Sequence, residues 1–196
     1  EPMTALNPTA RIGDQIALAS RVRDRVGRRA ARAVALELMD DVGIPDPARR
    51  ARMWPHELSG GLRQRAMIAI ALSSNPKVLL CDEPTTALDV SIQDQILALL
   101  LRLRDERGLS IMFVTHDLAV LRSLCDRVAV MYAGRLVEIG PTNTVFDTPR
   151  HPYTAALLRS IPPITAVDGP FPVIAGQPPD PGAMPPGCRF APRCAL

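Results

Sequence analysis

The sequence predicts an α/β fold: a parallel-sheet core, preceded by a helical segment and followed by a proline-rich extension. Three observations predict it. Val78-Leu79-Leu80-Cys81 and Ile111-Met112-Phe113-Val114 are short, wholly apolar runs, the pattern of strands covered on both faces of a parallel sheet. Between them, Ile92, Ile96, Leu99, Leu100 and Leu103 recur at helical spacing, which makes the segment a strand–helix–strand unit. Most of the chain's 20 prolines fall in the last third, where they exclude long regular elements.

The elements follow in order. Residues 1–58 contain no strand-like run. Within them, Ala30 to Val42 places Val34, Leu36, Leu38, Met39 and Val42 at helical spacing, and Gly43 supplies a stop. Ser59 stands where the N-cap of a helix over Leu62–Ser73 belongs. Residues 59–140 then alternate strands and helices. They close with Val128–Tyr132 and Arg135–Ile139 around Ala133-Gly134, an antiparallel hairpin. Residues 141–196 offer one short helix, Tyr153–Ser160, in an otherwise extended, irregular stretch. No internal repeat is present.

Composition narrows the function classes. The 196 residues are 47% hydrophobic and 22% charged, ordinary for a globular protein. A formal net charge of +3 gives no reason to expect nucleic acid as a partner. The basic residues between Arg21 and Arg32 are interrupted by Asp24. They read as a solvated helix face, or as a contact for a partner or an anionic lipid surface. No apolar run, Ile96 to Leu101 included, approaches the ~18 residues that read as a membrane span. No secretory signal pattern opens the sequence. Cys81, Cys125, Cys188 and Cys194 are scattered rather than packed into a disulfide framework, and a reducing compartment is expected.

Three short motifs carry chemistry. Ser59-Gly60-Gly61 precedes a helix. Free amides at a helix start favour an anion such as phosphate, although a glycine turn before a buried helix reads the same way. Asp82-Glu83 ends an apolar strand, where open parallel sheets place ligands. Side chains alternate across a strand, so the two carboxylates suit two jobs. One orients a metal-bound water shell and the other takes a proton from an attacking water. Alone, the pair is equally a solvated acidic turn. His116 ends the next apolar run, and neighbouring strand ends bring it toward Asp82 and Glu83. An imidazole there can meet a terminal phosphate, though a lone histidine is more often structural.

Taken together, Leu58-Ser59-Gly60-Gly61, Asp82-Glu83-Pro84-Thr85-Thr86-Ala87-Leu88-Asp89 and Thr115-His116-Asp117 resemble the ABC ATPase family in order and spacing. The first looks like its signature motif and Val78 to Asp82 like Walker B. Ala87-Leu88-Asp89 looks like the D-loop and His116 like the switch histidine. The resemblance implies a P-loop NTPase (RecA-like) core with a helical subdomain in 1–58, the second half of the ATPase core in 59–140, and a C-terminal extension in 141–196. Two such domains sandwich two ATP molecules head to tail. Ser59, Gly60 and Gly61, with Gln64 in the same nucleotide-binding set, would then serve ATP held by a partner domain. Asp82 would hold Mg²⁺ through water, Glu83 would activate the attacking water, and His116 would support the γ-phosphate. Asp89 would cross the dimer interface. Leu62 departs slightly from the residue often found after the glycines.

The stretch Glu1-Pro2-Met3-Thr4-Ala5-Leu6-Asn7-Pro8 is similar to the segment after the Q-loop glutamine in oligopeptide and dipeptide importers. His151-Pro152-Tyr153-Thr154 and Gly187-Cys188-Arg189-Phe190-Ala191-Pro192-Arg193-Cys194 are close to their proline-rich tail. This likeness implies peptide uptake, with nickel uptake as a related cargo. It implies transmembrane permease subunits as partners, an extracytoplasmic peptide-binding protein indirectly, and a peripheral place on the cytoplasmic face of the membrane. Some members hold a [4Fe-4S] cluster through four tail cysteines. Cys188 and Cys194 would supply part of such a site, while Cys81 and Cys125 fit core positions.

No Gly-x-x-x-x-Gly-Lys-Ser/Thr loop occurs in the sequence. In this family the loop lies upstream of the segment that begins here at Glu1, so the chain reads as truncated, with an exposed sheet edge and a poorly supported core. It is expected to bind ATP weakly and hydrolyse it negligibly by itself. Two other functions compete: a non-transport ABC ATPase, and a non-catalytic piece that only docks on a partner.

Overall fold

A computed structural model describes residues 5–86, 88–161 and 173–196, the side chain of Asp24 excepted. Glu1 to Thr4 and Ala87, which carry part of the importer-like and D-loop readings, lie outside them. The chain divides into two compact units, 1–116 and 117–196.

The first unit opens on helices α1 (Ile12–Asp24) and α2 (Arg28–Asp41), then the single turn α3 (Pro47–Arg50). Ile12 and Ile16 of α1 and Ala31, Ala35 and Met39 of α2 are buried against each other and against α4 (Gly60–Leu72). Small residues at Ala31 and Ala35 let the two helices approach closely. The first strand, β1 (Val78–Asp82), is followed by α5 (Val90–Arg107) and β2 (Ser110–Val114). β1 and β2 pair in parallel, with Leu79 opposite Ile111, Cys81 opposite Phe113 and Asp82 opposite Val114. This is the strand–helix–strand unit that the apolar runs anticipated.

One expectation is corrected. The apolar runs led us to expect a sheet covered on both faces, but among the described residues only one face is covered. Leu79, Cys81, Ile111 and Phe113 join the core formed with Leu72, Ile96, Leu100 and Leu103. Val78, Leu80, Met112 and Val114 point the other way and are exposed, Leu80 by 71%. The alternation of β structure sends every second side chain outward, and among the described residues the helices packed on this sheet lie on one side.

The second unit contains α6 (Leu118–Leu124), the hairpin β3 (Arg127–Tyr132) and β4 (Arg135–Pro141), α7 (Thr142–Asp147) and α8 (Pro152–Arg159). Ala133 and Gly134 both take positive φ, 46° and 76°, the signature of the two-residue turn that matches strand twist. A bulge falls between Val130 and Met131. Val128 and Val130 pack on Val145 of α7, with Tyr153 and Leu157 of α8 alongside. The last residues are irregular but anchored. Phe190, 2% exposed, meets the rings of Tyr132 and Tyr153 edge-on, each at 5.3 Å. Arg193 donates to the Tyr132 hydroxyl at 3.2 Å and to the carbonyls of Ile174 and Ala175 at 2.9 and 2.8 Å.

Candidate functional site

The site assembles in the first unit around the end of β1. Glu83 follows the last paired residue of the strand and takes φ 44°, a left-handed conformation costing about 1 kcal/mol for a residue with a Cβ. Its N–H donates to the Val114 carbonyl at 2.8 Å, which ties it to the end of β2. His116 leaves that same strand end. Its Nδ1 lies 3.0 Å from Glu83 Oε1, so the two residues that the sequence placed on neighbouring strands do meet. The Thr86 hydroxyl donates to the other carboxylate oxygen, Oε2, at 2.9 Å. These side-chain hydrogen bonds, from His116 first and Thr86 second, hold the Glu83 carboxyl below the usual carboxylate range. The His116 side chain is 77% exposed, so its second ring nitrogen stays open to a ligand.

Asp82 is the last residue of β1 and is exposed. Its neighbour Cys81 points into the core, where burial pushes the thiol up to about 11. The alternation separates Asp82 from the apolar core and leaves its carboxylate at the open end of the sheet, a position that suits a water-bridged divalent cation.

Ser59 is the N-cap of α4, with extended backbone, and its hydroxyl makes no cap bond to the helix. Gly60 and Gly61 form the first turn. A Cβ on Gly61 would stand 2.7 Å from Cγ2 of Ile92, whereas one on Gly60 would meet Leu88 at an ordinary 3.6 Å. Gly61 is therefore required for the close approach of α4 to α5. Its neighbour leaves bare backbone beside Leu88. Asp89 caps α5, its Oδ1 accepting from the Ile92 N–H at 3.0 Å; this structural role went unread in the sequence. Gln64 departs from the expected pattern. It is 5% exposed, and its Oε1 is enclosed with no hydrogen-bond partner. It shares the inward face of α4 with Ile68 and lines a cleft with Leu79, Asp82 and Glu83. In this structure Gln64 is a buried polar group behind the carboxylates.

The tail cysteines lie in the second unit. Cys188 is exposed, with Sγ 3.9 Å from His151 Nε2, and Cys194 is half-buried. Among the described residues, no group of three or more His, Cys, Asp or Glu is placed to hold a metal ion, and two thiols do not make the four-thiolate set of a cluster. Sequence reasoning missed Thr86. Its only signal was a hydroxyl three residues after the candidate base.

A family model described as "ABC transporter" matches residues 3–86. Another, "Oligopeptide/dipeptide transporter, C-terminal region", matches residues 137–196. A Brucella melitensis protein named "Putative peptide import ATP-binding protein" is 53% identical over 100% of this chain, which spans 60% of that protein's length. A protein of the same name from Brucella abortus shows the same identity and coverage. Among solved structures, an ATP-binding cassette in a dimeric, post-hydrolysis state bound to ADP and Pi is 31% identical. The match has a TM-score of 0.62 and covers 70% of this chain and 59% of that one. A carboxylate–imidazole pair at the ends of adjacent parallel strands, a glycine-opened helix and these two matched regions place the chain in the ABC transporter family, in its oligopeptide/dipeptide branch.

Proposed function

We propose that the protein is the ATP-hydrolysing subunit of a peptide importer. The supporting observation is the Glu83–His116 contact of 3.0 Å at the open end of the β1–β2 sheet, in a chain 53% identical to peptide-import ATP-binding proteins. Glu83 takes the proton of the attacking water as its oxygen bonds to the γ-phosphorus and the bond to the β-phosphate oxygen breaks. His116 orders the transferred phosphoryl group through its exposed ring edge. Asp82 holds the water shell of Mg²⁺, which neutralises phosphate charge when bound. Ser59 and the amides of Gly60 and Gly61 face the nucleotide of a second ATPase domain, and Asp89 lies at that junction. In this reading residues 1–58 form the helical subdomain, 59–140 the second half of the ATPase core, and 141–196 the importer-type extension.

Permease subunits are the membrane partners, a reading supported by the likeness to peptide-import ATP-binding proteins and to the oligopeptide/dipeptide transporter C-terminal region; no helix among the described residues is long and apolar enough to cross a membrane. The subunit works on the cytoplasmic face, with a peptide-binding protein delivering cargo from outside. No iron–sulfur role is proposed. The 196 residues contain no phosphate-binding loop, so by themselves they hydrolyse ATP negligibly.

The test is ATPase activity of the full-length subunit reconstituted with its permease partners. Glu83→Gln should lower kcat by about 10²-fold or more, and peptide with its binding protein should stimulate the wild type. Full activity of Glu83→Gln would remove Glu83 as the base.

A further inference from the structure

Glu83 is fixed by more than its strand. Its backbone is set by the Val114 carbonyl and by a tight turn in which the Thr86 N–H donates back to the Glu83 carbonyl at 3.2 Å. That turn carries the Thr86 hydroxyl to 2.9 Å from Oε2, while His116 Nδ1 stands 3.0 Å from Oε1. A carboxylate held by one donor still rotates about its last bond. With one donor on each oxygen, its plane is fixed, and each oxygen keeps a lone pair for another hydrogen bond.

We propose that Thr86 is a positioning residue for ATP hydrolysis: its hydroxyl, opposite His116, sets the plane in which Glu83 meets the attacking water. The proposal rests on the reading of Glu83 as the base. A hydroxyl suits this job in both states of the carboxyl. It donates to the carboxylate before proton transfer, and it can accept from the carboxylic acid afterwards. Thr86 is itself exposed, so its side chain fills no core space, and the contact with Oε2 is the structural reason for its hydroxyl.

The full-length subunit with its permease partners tests this. Thr86→Val should lower kcat about tenfold with KM for ATP little changed, and Thr86→Ser should restore kcat. A kcat that Thr86→Val leaves unchanged, or that Thr86→Ser fails to restore, overturns the proposal. A fully active Glu83→Gln alongside a slowed Thr86→Val would overturn the base reading alone.

Discussion

Cys81 and Glu83 stand two residues apart with opposite protonation tendencies: burial raises the Cys81 thiol, whereas hydrogen bonds from His116 and Thr86 lower the Glu83 carboxyl. Burial keeps the Cys81 thiol protonated, pushed up to about 11, and burial followed by the nearby Asp126 charge raises Cys125. The thiolate is the reactive form. Iodoacetamide at pH 8 should therefore modify the exposed Cys188 first, Cys194 next, Cys125 slowly, and Cys81 only on unfolding. Peptide mass spectrometry at timed quenches reads the order, and labelling of native Cys81 as fast as Cys188 would contradict it. The same thiol links stability to pH. Its raised folded value stabilises fully below the ordinary thiol range, and the contribution is lost as pH climbs from about 9 toward about 11.

The contact of α4 with α5 depends on Gly61. A methyl there meets Ile92 at 2.7 Å, against 3.6 Å from Gly60 to Leu88. Gly61→Ala should therefore cost about 1–3 kcal/mol of stability, as overpacking does, and Gly60→Ala clearly less. Denaturant midpoints of the two variants decide it, and equal midpoints would mean that Ile92 yields freely. Element boundaries show where the sequence was legible. Val78–Cys81, Ile111–Val114 and the Ala133-Gly134 turn announced their strands through apolar runs and turn chemistry. α4 begins at Gly60 rather than Leu62, because a first helical turn makes few internal bonds and tolerates glycine. α6 and α7 were not anticipated: at 7 and 6 residues they hold too few turns to show a period. Of the site, Glu83 and His116 were readable from their strand ends. Thr86 and the burial of Gln64 were not, since they follow from the Glu83 backbone angle and from the rotation of α4.

The two units build separate cores. The first gathers its helices around Ile12, Met39, Leu72, Ile96 and Leu103, while the second rests on Val128, Val130 and Val145 with an aromatic clasp at its end. Burial scales with core size, so the second unit should lose structure at lower denaturant. The distribution of aromatic residues makes that measurable without any added label. The sole tryptophan, Trp54, lies in the first unit, half-buried with the Arg11 guanidinium 5.7 Å from its ring. Both tyrosines, Tyr132 and Tyr153, lie in the second with ring centroids 4.5 Å apart and planes tilted by 48°. Tryptophan emission excited at the red edge and tyrosine near-ultraviolet dichroism thus act as two native optical channels, one per unit. The tyrosine channel should fade first, and coincident curves would instead mark one cooperative transition. The clasp that anchors the tail therefore also serves as a built-in chromophore, through which its own melting can be watched.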